Sequence, residues 1–179
     1  MRFDVTQRRL VLLVLSAAAL GLSCSNKSSP PPAATDGCVQ PDTGLPTDVF
    51  CTGLYATHDG TVSPDVLPYT PGVTLWSDGA EKRRFLYLPP STTIDTSNLD
   101  TWKFPVGTKA WKEFRVDGVL VETRLFWKRT PTSWDSGTYI WDATGATATL
   151  NTAPKGVILP SGYEIPTQKD ARLSARIFR

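Results

Sequence analysis

From residue 38 onward the chain shows almost none of the 3.6-residue apolar periodicity that lets a helix bury one face, which argues against a helical core. In its place stand short runs of β-branched and aromatic residues, each broken by Pro, Gly, Asp or Asn. These runs predict strands at Val73–Trp76, Arg84–Leu88, Thr101–Phe104, Thr108–Val116, Val119–Lys128, Thr138–Trp141, Ala146–Leu150 and Lys155–Leu159. The 15 prolines and 13 glycines suit many tight connections. Closely spaced strands of this kind predict an all-β fold, an antiparallel β-sandwich or jelly-roll-like single domain.

The clearest local element is a hairpin at Asp117-Gly118, a dipeptide that favours the type I′ turn. An unbroken two-residue hairpin puts Val116 opposite Val119, Phe114 opposite Val121, Lys112 opposite Thr123 and Ala110 opposite Leu125. Its other side then pairs Arg115 with Leu120, Glu113 with Glu122, and Trp111 with Arg124. The last pair predicts a cation–π contact. The Glu113–Glu122 pair is unfavourable unless Arg115 and Arg124, its diagonal neighbours, neutralise it.

The first residues have a separate logic. Met1–Arg9 is basic, with Arg2, Arg8 and Arg9 against Asp4, and Leu10–Leu22 is an uncharged apolar run of 13 residues. A basic start, a short apolar core and small residues at its end make a secretory signal peptide, expected over 1–23. The run is short of the roughly 20 residues a spanning helix needs. Gly21-Leu22-Ser23-Cys24 resembles a lipobox, with Gly21 where leucine is usual. That resemblance implies lipidation of Cys24 and anchoring in the bacterial cell envelope. Residues 24–37, which include Pro30-Pro31-Pro32, read as a disordered linker between the lipid and the domain. Residues 38–170 are left as the β domain, and 171–179 as an aberrant or disordered tail.

Removing 1–23 lowers Lys plus Arg from 19 to 16 and Asp plus Glu from 17 to 16, so the remainder is formally neutral. A neutral surface offers no field to draw nucleic acid. The chain has three cysteines. With Cys24 acylated, Cys38 and Cys51 remain, and in an oxidising compartment such a pair is expected to bond. The closed loop of about 14 residues is worth roughly 3 kcal/mol. Metal ligation by the two thiols is the alternative, but with a single histidine and no Cys-x-x-Cys no metal site is expected.

Leu75–Arg84 packs Asp78, Glu81, Lys82, Arg83 and Arg84 around Gly79. Asp78, Lys82 and Arg84 are ligand-binding candidates together with Lys112, Glu122 and Arg124. Paired carboxylates and cations serve acid–base chemistry or the binding of a sugar or acidic ligand. The same residues also suit a salt-bridge network that fixes strand register. His58, in Thr57-His58-Asp59-Gly60, reads as a loop histidine, with a general base or ligand as the alternative. Ser77 has no nucleophile elbow around it and no catalytic residue is assigned. Trp102, Trp127, Trp134 and Trp141 offer either an aromatic platform for carbohydrate or core packing.

Several motifs carry a family resemblance. Gly53-Leu54-Tyr55, Leu75 through Arg84, Leu88-Pro89-Pro90, Trp102 through Thr108, Lys112-Glu113-Phe114, Glu122-Thr123-Arg124-Leu125, Tyr139-Ile140-Trp141 and Tyr163-Glu164-Ile165-Pro166 together resemble a family of exported bacterial proteins related to c-type cytochromes. The likeness covers roughly residues 51–170. It implies an envelope β domain with electron-transfer or scaffold proteins as partners. In that family the Tyr-x-Ile-Pro segment leads into a Cys-x-x-Cys-His haem attachment site. Here residues 171–179 hold neither Cys nor His, so a truncation, a frameshift or a loss of the haem site is expected, with no haem in this chain. The expected role is thus a non-catalytic envelope lipoprotein domain. The alternative is an extracytoplasmic carbohydrate-binding module or hydrolase.

Overall fold

The Asp117-Gly118 turn sets the geometry of the sheet. Both residues have positive φ, 51° and 78°, as a type I′ turn requires to match the right-handed twist of its strands. A computed structural model describes residues 37–73 and 79–167. The expected signal peptide, Cys24, Asp78 and the 171–179 tail lie outside the described residues. The strands are β1 (Leu67–Pro68), β2 (Glu81–Tyr87), β3 (Lys109–Val116), β4 (Val119–Lys128), β5 (Trp134–Trp141), β6 (Ala148–Leu150), β7 (Val157–Ile158) and β8 (Glu164–Ile165). The described residues thus form an all-β, antiparallel domain, as the broken β-rich runs predict.

Strands β1 to β6 form one sheet in sequence order, each beside its chain neighbour, and β7 pairs with β8 in a separate ribbon. Every pair of neighbouring strands in the large sheet is antiparallel, with β3 and β4 joined by the tight Asp117-Gly118 turn. Two predicted strands differ from the structure. Thr101–Phe104 contributes only an isolated bridge between Lys103 and Asp95, where Asn98 and Asp95 close local turns onto the backbone of Asp100 and Ser97. Val73 lies in a bend, and 74–76 fall outside the described residues. Conversely, β5 begins at Trp134, ahead of the expected Thr138.

The β3–β4 pairing begins as expected, with Val116 opposite Val119 and Arg115 opposite Leu120. It then slips. A bulge between Phe114 and Arg115 leaves Val121 as the extra residue, so Phe114 faces Glu122, Glu113 faces Thr123 and Lys112 faces Arg124. A one-residue slip turns every later side chain to the other face. The expected Glu113–Glu122 and Trp111–Arg124 pairs are therefore not formed. The two carboxylates point to opposite sides of the sheet.

One face carries the apolar core. Phe85, Trp111 and Leu125 lie side by side across β2, β3 and β4, and Tyr139 and Trp141 continue this face in β5. All five are buried. Above them packs the segment holding a 3₁₀ turn, Val49–Thr52, with Val49, Phe50, Leu54 and Tyr55 in the same cluster. Specific bonds fix its position. The Trp111 indole donates to Thr52 Oγ1 at 3.2 Å, and Tyr139 OH donates to the Pro46 carbonyl at 2.8 Å. Asp48 caps the turn by accepting from Phe50 N at 2.9 Å. Leu150 N also donates to Thr47 O at 2.8 Å, which ties this segment to the edge strand β6.

Cys38 and Cys51 are bonded, with Cα atoms 5.3 Å apart. The bond ties the segment that enters the domain to the 3₁₀ turn over the core. Replacing both cysteines by serine is expected to lower stability by about 3 kcal/mol. Urea unfolding would measure this, and added reductant should shift the wild type toward the double variant while leaving the variant unchanged.

Candidate functional site

The second face of the sheet is charged. Register places Arg84, Lys112 and Arg124 side by side in one row across β2, β3 and β4. The adjacent row is Lys82, Phe114 and Glu122. Five of the six ligand-binding candidates, Lys82, Arg84, Lys112, Glu122 and Arg124, thus share one face. Asp78 lies outside the described residues.

Three cations in a row repel one another, and like charges directly opposite destabilise a sheet. Two devices offset this. First, Glu122 is fully buried and paired in fork geometry. Arg124 Nε donates to Oε2 at 3.1 Å and an Arg124 terminal nitrogen donates to Oε1 at 2.5 Å. Tyr163 OH adds a third bond to Oε1 at 2.7 Å, bringing the stretch before β8 onto this face. Second, the cations lie over rings. The Arg124 guanidinium is 4.2 Å from the Phe114 centroid, Lys112 Nζ is 5.4 Å from Phe126, and Lys128 Nζ is 5.0 Å from Trp134. Burial, reinforced by Arg124, Arg84 and Lys82, brings the Lys112 ammonium down to about 8.

Glu113 occupies the other face. Its Oε1 accepts a short hydrogen bond from Tyr55 OH. Its Oε2 is buried, makes no hydrogen bond, and lies 3.5 Å from a terminal nitrogen of Arg83. Burial and the Glu113 charge push the Tyr55 phenol far above its usual range. Here the loop residues that follow the 3₁₀ turn meet the β3–β4 turn and the β5–β6 turn around a pocket of about 550 Å³. His58 reaches this pocket and stacks on Phe50, ring centroids 4.6 Å apart.

The tryptophans do not form one platform. Trp127 is held between Lys109 and Arg129, 4.1 and 3.5 Å from its ring centre. Trp134 meets Phe104 edge-on at 5.7 Å on the charged face. Trp141 belongs to the core cluster beside the pocket, and Trp102 is exposed. Among the described residues no group of three His, Cys, Asp or Glu side chains is placed to hold a metal ion.

Neither Glu113 nor its pocket follows from the sequence, because the unbroken hairpin puts Glu113 beside Glu122. No family model, no curated protein and no solved structure matches the chain.

Two outcomes follow from the charged face. Breaking the buried pair with Arg124→Met is expected to cost about 3 kcal/mol or more, because it leaves Glu122 uncompensated. The double variant Glu122→Leu/Arg124→Met should recover most of that loss, and a urea double-mutant cycle measures the coupling. The pH dependence has a definite sign. Folding holds Lys112 and Lys109 near 8 against an ordinary 10.5, so unfolding takes up protons between those values and stability rises with pH there. Tyr55 and Tyr139, held protonated by burial, reverse the trend above 10.0. Thermal melts should therefore move up by a few degrees from about pH 7.5 to about pH 9.5, and Lys112→Met should remove roughly half of that rise.

Proposed function

We propose that this chain is an exported lipoprotein: a non-catalytic β domain tethered to the bacterial cell envelope through a lipid on Cys24, with an interaction or scaffolding role. The observation that carries this reading is the Cys38–Cys51 bond. Structural disulfides belong to oxidising compartments, and this one consumes two of the three cysteines in the chain. Cys24 is left as the odd thiol, at the end of an apolar run with a basic start and ahead of a proline-rich spacer. The motifs from Gly53 to Pro166 further support kinship with the β portion of exported proteins related to c-type cytochromes. Envelope electron-transfer or scaffold proteins are the partners this kinship suggests.

The non-catalytic part of the proposal rests on how Glu122 is used. Its carboxylate accepts two bonds from Arg124 and one from Tyr163, and it is fully buried. A general acid or base must reach a substrate proton, and this carboxylate is turned inward. A hydrolase or sugar site built on Lys82, Arg84, Glu122 and Arg124 is the weaker reading for that reason.

Labelling cells with a palmitate analogue tests the tether. The wild-type chain should take up label and fractionate with membranes, while Cys24→Ala should lose nearly all label and leave the membrane fraction. Equal labelling of the two would refute acylation at Cys24.

A further inference from the structure

We propose that the pocket on the core side of the sheet is a binding site for an uncharged saccharide. The site needs only the folded domain, so it stands apart from the question of the tether.

Its volume, about 550 Å³, falls in the range of small-ligand sites, roughly 300–1,000 Å³. Three features of its lining select the ligand. The first is charge. Arg83 and Arg115 face Glu113 and Asp59 around the pocket, so the formal charges of these four side chains cancel. An ion would gain no net attraction there, whereas a neutral ligand rich in hydroxyls can use both signs. The second is the state of Glu113. It is almost wholly buried. Tyr55 satisfies one carboxylate oxygen and the other has no hydrogen-bond donor. A buried acceptor without a donor is costly, and a ligand hydroxyl supplies one.

Access to that oxygen runs past Arg83. The Arg83 side chain is 55% exposed and stands 3.5 Å from Glu113 Oε2. Arg83 meets this oxygen at ion-pair distance without a hydrogen bond, and its own side chain is half exposed, so a ligand hydroxyl can donate there if Arg83 swings aside. The planar guanidinium then donates to a neighbouring hydroxyl. A carboxylate and a guanidinium together read two adjacent hydroxyls, one through its hydrogen and one through its oxygen.

The third feature is the wall. Phe50, Tyr55 and Trp141 pack tilted and edge-on with centroids 5.3 to 5.9 Å apart. His58 is exposed and lies over Phe50 at 4.6 Å. Phe50, Tyr55 and Trp141 are buried and form the floor behind His58, so His58 is the ring that offers a surface for the C–H face of a sugar ring. The Arg115 guanidinium is held at the rim by the turn, donating to the Gly118 carbonyl at 3.2 Å.

The test is calorimetric titration of the full chain, purified in a detergent without a sugar headgroup. The probes are cellotriose, maltotriose and chitotriose, with trigalacturonate as the anionic comparison. At least one neutral trisaccharide should bind with a millimolar or tighter Kd. Arg83→Ala and His58→Ala should each weaken it about tenfold while keeping the wild-type circular dichroism, and Arg83→Ala should also melt lower because it leaves the buried Glu113 carboxylate without its cation. Lys103→Ala, an exposed cation elsewhere, should bind as wild type. Absence of binding by all three neutral probes up to about 10 mM overturns the proposal. So does an unchanged affinity in folded Arg83→Ala, or tighter binding of trigalacturonate than of any neutral probe.

Discussion

The bulge in β4 is the constraint on which the rest of the structure depends. One extra residue, Val121, separates the Asp117-Gly118 turn from the long run of pairs that follows. Before the bulge the hairpin obeys its turn, and after it every side chain of β4 changes face relative to β3. That single slip puts Leu125 beside Trp111 in the core row. It sends Glu122 and Arg124 to the opposite side, beside Phe114 and Lys112. Without it, Glu122 would sit opposite Glu113 on the core-side face, and Leu125 would leave Trp111 to face Ala110 on the other side.

The division of charge between the faces follows from this. Each face keeps one buried carboxylate from the hairpin, and each carboxylate accepts from a tyrosine: Glu122 from Tyr163, and Glu113 from Tyr55. The difference lies in the cation. Arg124 is itself buried and forks onto both oxygens of Glu122, and Tyr163 adds a third bond, so this carboxylate has its acceptors met. Arg83 is mostly exposed and touches one oxygen of Glu113 at ion-pair distance only. A buried pair with complete hydrogen bonding fixes structure, whereas an incomplete one keeps an unmet demand.

Much of the fold was legible in the sequence, and its failures have physical causes. The all-β class followed from broken β-rich runs, and the type I′ turn followed from Asp117-Gly118. The Cys38–Cys51 bond followed from cysteine parity once Cys24 was set aside. The bulge was not legible, because nothing around Val121 marks it: no glycine sits there, and all of the flanking residues suit a strand. Thr101–Phe104 was misread because Trp and Phe carry strand propensity, while neighbouring Asn98 and Asp95 bind the backbone locally instead. The two-residue strands β1 and β8 owe their existence to tertiary pairing and leave no periodic signal. Of the candidate site, the shared face of Lys82, Arg84, Lys112, Glu122 and Arg124 was half visible, since each was singled out for its charge. That they would stand in two adjacent rows depended on the unseen register.

The charged face also explains how a sheet tolerates three adjacent cations. Arg84, Lys112 and Arg124 are held by neighbours that cost little to supply: Phe114 and Phe126 lie under Arg124 and Lys112, and Glu122 lies diagonal to Lys112 in the next row. An aromatic ring attracts a cation without adding a second buried charge that would itself need solvation. The long aliphatic stems of Lys and Arg meanwhile cover apolar surface as a leucine would. The face therefore works as a second, smaller core in which the tips of the side chains are charged and their stems are not. The β7–β8 ribbon reaches this face through Tyr163, which donates to Glu122. A sheet with one apolar face and one such cation–aromatic face buries both sides at this size, which a single six-stranded meander with a wet second face would not do.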